Sequence, residues 1–212
     1  VGKKFYPGLK TGVPDIPSKN GDKPVFFWIS NKDELSKRIV NYKINNPTKT
    51  VGVLIPQKRS SGVAYAYVEA LRAILTEMAI SPNKIFVQYY LSKMRNVNLD
   101  ELNFDASNSI TVLTNQSAKG LEFDTVFIPD LEKLETEGEF FTESMTFYVL
   151  LHRARDSLFL SANRNKQNFE MTYPPILTTH HLTQDSQKNN HQIGFQNIAE
   201  LESFIEIEGD ND

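Results

Sequence analysis

Cysteine is absent from the 212 residues. That excludes disulfides, thiolate-bound metal and a cysteine nucleophile. It fits a reducing, cytoplasmic setting. No apolar run approaches the ~20 residues that a membrane-spanning helix needs, so no membrane partner is expected. No G-x-x-x-x-G-K-[ST] segment occurs, hence no P-loop of that type. The chain starts at Val1 without a signal-peptide pattern, and such a start is expected of a piece of something longer. A strong charge of one sign is also missing. The net charge is -3, which excludes a uniformly basic nucleic-acid coat but leaves room for a local basic face.

The charge that is present is unevenly spread. Residues 1–49 hold ten Lys/Arg against four Asp/Glu, and residues 200–212 hold six acids and no base. Pro7, Pro14, Pro17, Pro24, Gly2, Gly8, Gly12 and Gly21 crowd the first 24 residues. That density of chain breakers predicts an irregular N-terminal arm over 1–20. Residues 163–197 contain eleven Asn/Gln and lose all periodicity, so 166–212 reads as a polar tail. A small acidic element is expected within it, at 198–207.

Between arm and tail, short apolar runs alternate with helical patterns. Strands are predicted at Val25–Ile29, Val51–Ile55, Ile85–Val87, Ile110–Leu113, Thr125–Ile128 and Leu158–Leu160. The run at 51–55 is apolar throughout, as in a strand buried on both faces. Helices are predicted over 31–45, 63–80 and 142–155. The first opens with Asn31 three residues before Glu34, a capping-box spacing. The second carries Tyr67, Leu71, Ile74, Leu75 and Met78 as its apolar stripe. Residues 91–109 are polar and carry no clear pattern. Strands alternating with helices imply an α/β fold, a mainly parallel sheet with helices on both faces, over residues 21–165.

Two segments carry chemistry. Residues 110–130 run from a buried strand through a polar loop into a second strand. The loop holds Thr114, Asn115, Gln116, Ser117, Lys119, Gly120, Glu122 and Asp124. Ligands of open α/β sheets bind at the carboxyl ends of strands, where this loop is expected. Gly120 would let a backbone approach a ligand, and Ser117-Ala118 favours a short helical turn with phosphate-binding N–H groups. The second segment is 145–161. Phe147, Leu150, Leu151 and Ala154 form a helical stripe, and Arg153 falls roughly 110° away from its centre at 100° per residue. Arg153 and Arg155 also suit a plainer role, as cations complementing a helix C-terminus.

These segments resemble a known family. Thr114–Val126, TNQSAKGLEFDTV, resembles motif V of UvrD/Rep-type superfamily 1 helicases, Thr-x-His-x-Ala-Lys-Gly-Leu-Glu-Phe-Asp-x-Val. Tyr148–Leu158, YVLLHRARDSL, resembles their motif VI. The likeness covers roughly residues 20–163, and the seven consecutive matches of AKGLEFD make it specific. It implies the second RecA-like domain of such a motor, completed by an N-terminal P-loop domain of the same protein. ATP and Mg²⁺ are the implied cofactors, with the Mg²⁺ ligands supplied by that other domain. Single-stranded DNA is the implied partner, and the sequence does not exclude RNA.

Residue by residue, Arg153 matches the arginine finger. Glu122 matches the acid near the ribose, with Gly120 and Lys119 as its motif neighbours. Thr114 and Gln116 match the nucleic-acid side, and His152 is assigned there too. No metal ligand is expected in this chain. Two departures stand out: Gln116 replaces the usual His, and His152 replaces the usual Thr. The spacing between the third strand and Ile110, about twenty residues, leaves no room for the accessory subdomain of large members. Without a P-loop the chain alone is expected to be inactive. The parent is expected to be an ATP-dependent helicase or translocase. The alternative is a nucleotide-gated binding scaffold that does not unwind.

Overall fold

The computed structural model describes residues 21–56, 61–91, 102–134, 140–164, 173–178, 181–184, 190–193 and 195–208. The expected arm, 1–20, lies outside them, as does 92–101 of the unpatterned stretch.

The first elements follow the local chemistry. Strand β1 is Val25–Ile29. Helix α1, Lys32–Asn45, starts where the Asn31 side chain accepts the Glu34 N–H at 3.0 Å. The Glu34 carboxylate in turn accepts the Ser30 N–H at 2.8 Å, one residue before the usual capping-box partner. Strand β2, Val51–Ile55, is buried along its whole length. Helix α2 spans Ser61–Glu77 and ends three residues before the end of the predicted range 63–80. Ala79 turns left-handed there (φ 53°), and the Ile80 N–H reaches back to the Leu75 carbonyl.

Strands β3 (Phe86–Tyr90), β4 (Ser109–Thr114) and β5 (Phe123–Ile128) follow. Helix α3 is Phe140–Leu151 and strand β6 is Ala154–Asn163. Beyond them lie α4 (Pro175–Thr178), β7 (His181–Gln184), β8 (Asn190–Ile193), α5 (Ile198–Phe204) and β9 (Glu206–Ile207).

Seven strands form one sheet in the order β3-β4-β2-β5-β6-β1-β9, and β7-β8 form a separate hairpin. Every pairing in the large sheet is parallel. Its two faces bury separate apolar cores. One joins Leu35, Ile39 and Val40 of α1 to Tyr67, Val68 and Leu71 of α2. The other gathers Phe147 and Leu150 of α3 with Ile176, Leu177, Phe195 and Leu201 from the C-terminal segment. The fold is therefore an α/β parallel sheet covered on both faces.

Two expectations change. The helix predicted over 142–155 ends at Leu151, and residues 154–157 belong to β6. The Phe123 N–H bonds the Arg153 carbonyl at 2.8 Å, and Phe123 pairs with Ala154. That ladder captures the chain before the apolar part of the strand begins. Its polar start is satisfied by neighbours: Asp156 bonds Lys49, and Ser157 bonds Asp22 at 3.0 Å. A strand that is polar at one end does not show a strand pattern there. The second change is in the expected polar tail, where Tyr173, Ile176, Leu177, Phe195, Leu201 and Ile205 contribute core and Glu206–Ile207 a seventh strand. Tyr173 lies edge-on to Phe26, 5.9 Å between ring centroids, and its hydroxyl donates to Glu202 at 2.9 Å.

Candidate nucleotide and nucleic-acid site

The segment between β4 and β5 crosses the sheet. Thr114 stands level with Ile55 at the carboxyl end of β2, whereas Thr125 stands level with Val51. Phe123 lies two residues before that, so the eight residues 115–122 connect opposite ends of the strands, about 20 Å apart. The expectation that the whole loop sits at the carboxyl end is thus corrected. Only its start does.

At the carboxyl end, the Thr114 and Ser117 hydroxyls share a buried hydrogen bond of 2.9 Å. The N–H groups of Ser117 and Ala118 both reach the Thr114 carbonyl at 3.0 Å, forming a turn instead of presenting themselves outward. The Asn115 N–H continues the ladder onto Ile55, and its side chain donates to Thr146 of α3 at 3.3 Å. This frame leaves Gln116 exposed at the strand ends. Lys119 and Gly120 are exposed on the crossing. Gly120 has φ +85° and nothing within 4 Å of where a Cβ would stand. Backbone handedness, not a close approach within the chain, is what calls for glycine there.

At the amino end, Glu122 and Arg153 come together. The Arg153 backbone is fixed by the Phe123 ladder bond and by its own N–H to the Leu150 carbonyl at 3.1 Å. Its half-buried guanidinium donates from Nε to the Val149 carbonyl at 3.0 Å and from Nη1 to the Leu121 carbonyl at 3.4 Å. The side chain therefore lies folded across the end of α3, complementing the helix carbonyls.

Arg155, exposed on β6, reaches the acids of the motif. Its Nε is 3.7 Å from Glu122 Oε2, its Nη1 is 3.7 Å from Asp124 Oδ1, and Nη2 donates to the Glu122 carbonyl at 3.2 Å. Asp124 is structural. One carboxylate oxygen accepts both the N–H and the hydroxyl of Thr50, at 2.8 and 2.9 Å, and locks β5 to the start of β2.

The sequence expectation puts His152 with Thr114 and Gln116, whereas in the structure it stands beside Arg153 at the amino end. There its Nδ1 lies 2.8 Å from the Tyr148 carbonyl, and its ring packs on Tyr148 with centroids 4.2 Å apart. The cause is its position one residue past the end of α3, which runs back toward the amino ends of the strands.

Sequence reasoning missed the Arg155–Glu122 pair. No local signal marks it, because residues 154–157 show no apolar/polar alternation. It also missed a buried polar cluster near the carboxyl end of β5. Asp130 adopts φ 59° and is only 3% exposed, with Lys133 Nζ at 2.7 Å. Burial, with Asp130 and Glu132 nearby, pushes the Tyr67 phenol up.

The half-buried Arg153 guanidinium and the exposed Glu122 carboxylate at the amino end fit a nucleotide: cations suit phosphate oxygens, and a carboxylate accepts ribose hydroxyls. Among the described residues, no group of three His/Cys/Asp/Glu could hold a metal ion. No helix among them is long and apolar enough to cross a membrane.

The family model described as UvrD-like helicase C-terminal domain matches residues 26–165. Among curated proteins nothing matches. A solved C-terminal domain of a possible DNA helicase from Lactobacillus plantarum WCFS1 is similar at 23% identity and TM-score 0.46, over 68% of this chain and 75% of that one. An arterivirus nonstructural protein 10 helicase, solved with DNA, is similar at 12% identity and TM-score 0.41, over 69% of this chain and 30% of that one. The C-terminal part of the Fun30 ATPase domain is similar at 11% identity and TM-score 0.37, over 62% of this chain and 40% of that one. These likenesses are loose, and the family assignment rests on the first match alone.

Proposed function

The chain belongs to the UvrD-like helicase C-terminal domain family, and from that premise we propose that it is the second RecA-like half of an ATP-driven translocase on single-stranded DNA. It supplies Arg153 and Glu122 to a nucleotide held by a P-loop domain, and Thr114 and Gln116 to the strand. The observation that carries this reading is the 2.8 Å bond from the Phe123 N–H to the Arg153 carbonyl. It brings the two motif segments together, with Glu122 and Arg153 side by side at the amino ends of β5 and β6.

Nucleotide hydrolysis supplies the energy when ATP is bound between the two domains. The residues of this chain position and stabilise. Arg153 leaves the Val149 and Leu121 carbonyls and turns its fork toward phosphoryl oxygens, where a planar, permanently charged group is most effective. Leaving two neutral acceptors for an anionic one favours the move, because charge-assisted bonds are roughly twice as strong. Glu122 accepts a ribose hydroxyl while Arg155 holds it in place. Lys119 and Gly120 lie on the crossing that joins this end to Thr114 and Gln116. A short, internally bonded crossing can transmit a shift at one end to the other.

Binding of labelled oligo(dT) by this chain, followed by fluorescence anisotropy, tests the nucleic-acid half. Affinity should be weak with a shallow salt slope, since few phosphates are neutralised. Gln116→Ala should weaken it. Unchanged affinity in that variant would remove Gln116 from the strand's path.

A further inference from the structure

Five large apolar side chains among the described residues are substantially exposed, and Tyr65 is the most exposed of them at 47%. It lies near the start of α2, the helix that follows the carboxyl end of β2. Helix propensity does not call for tyrosine there; many residues form helix better. Its ring meets Tyr89 edge-on, with centroids 6.0 Å apart at 80°. Tyr89 is held from another side by Arg72, whose Cζ lies 5.6 Å from the ring centroid. Tyr65 is thus an exposed aromatic braced by a second aromatic that a cation pins in turn.

Its place in the sheet is informative. Tyr89 stands level with Val112 of β4, two residues before Thr114. The Tyr65–Tyr89 pair therefore lies at the same end of the sheet as Thr114 and Gln116, one strand further toward the edge.

We infer that Tyr65, braced by Tyr89 and Arg72, is a stacking platform for an unpaired base of a single strand. This rests on the reading that the carboxyl ends of these strands carry that strand. A flat aromatic face accepts any base, because every base has a π-face. Arg72 is paired with Glu69 at 3.5 Å, so this spot adds little net charge. Stacking is what it offers, not phosphate attraction.

The test compares labelled oligo(dT) with an abasic sugar-phosphate oligomer of equal length, at two salt concentrations, using the full 212-residue chain. Tyr65→Ala should weaken oligo(dT) binding roughly tenfold. It should leave the abasic oligomer unaffected, and the loss should be the same fold at both salts. Tyr65→Phe should retain wild-type affinity, and both variants should melt with the wild type, since the side chain is exposed. Normal oligo(dT) binding by Tyr65→Ala, with Gln116→Ala impaired, overturns the platform and leaves the broader reading standing. Equal losses on both oligomers also overturn it, because a backbone contact would then be the cause. No binding of either oligomer by the wild type at low salt overturns the broader reading itself.

Discussion

Phe123 lies so close over Gly52 that a Cβ on the glycine would stand 2.6 Å from the ring's Cδ2 and 2.8 Å from its Cγ. Phe123 is fully buried. The phenylalanine of AKGLEFD is thus a packing residue whose partner is the absence of a side chain on the neighbouring strand. Gly52→Ala should destabilise the domain by about 1–3 kcal/mol through overpacking. The double variant Gly52→Ala/Phe123→Leu should recover part of that loss. Urea melts of the three proteins check this; additive losses would show that the two residues do not share the space.

Glu132 gives the domain a pH-dependent stability. Burial is the main cause raising its carboxyl above the ordinary value near 4.5, and Asp130 acts in the same direction. The Asn163 N–H, donating at 3.0 Å, and Lys133 oppose it. The folded protein therefore holds its proton more tightly than the unfolded chain. That stabilisation is present below the ordinary carboxyl range and is lost as pH rises through the raised value. Glu132→Gln should flatten this part of the profile. Urea midpoints measured from about pH 4 to 8 check it, and an unchanged slope in the variant would reassign the titration.

Residues beyond 165 should be part of the folding unit. Tyr173, Ile176, Leu177, Phe195, Leu201 and Ile205 are buried in the α3-side core, and β9 covers the edge of β1. A chain ending at 165 uncovers that core and leaves β1 as an open edge. It should lose cooperative melting or aggregate. A truncated chain that melts cooperatively at an unchanged midpoint would make the C-terminal segment an appendage.

The isolated chain should bind ATP weakly and not hydrolyse it. The phosphate-cradling loop and its lysine supply most phosphate contacts in this enzyme class, and the sequence has no such loop. Phosphate-release assays with excess Mg²⁺ check this. Robust turnover by residues 1–212 alone would contradict the two-domain account.

Much of the fold was legible because its strands are short, apolar and buried on both faces. Val51–Ile55 could hardly be anything else. The start of β6 was not legible, because Arg155, Asp156 and Ser157 answer to Glu122, Lys49 and Asp22, partners distant in sequence. The C-terminal core was hidden for a related reason. Phe195 stands alone among Gln, Gly and Asn, Tyr173 runs into Pro174-Pro175, and Leu201 lies in a short acidic run, so only the fold brings the three together. The placement of His152 was not legible, since one residue past a helix end reverses which end of the sheet a side chain serves.

The central claim is that Arg153, and not Arg155, reaches the nucleotide. The direct measurement is single-strand-stimulated ATP turnover by the protein that contains both this chain and its P-loop domain. Arg153→Ala should lose roughly 10³–10⁵ in kcat, the range for an arginine finger. Arg153→Lys should recover little, because a point charge lacks the fork. Arg155→Ala should lose far less, since its contacts are to Glu122 and Asp124 within the chain. Near-normal turnover in Arg153→Ala with a severe loss in Arg155→Ala would contradict the assignment, and near-normal turnover in both would contradict the motor itself.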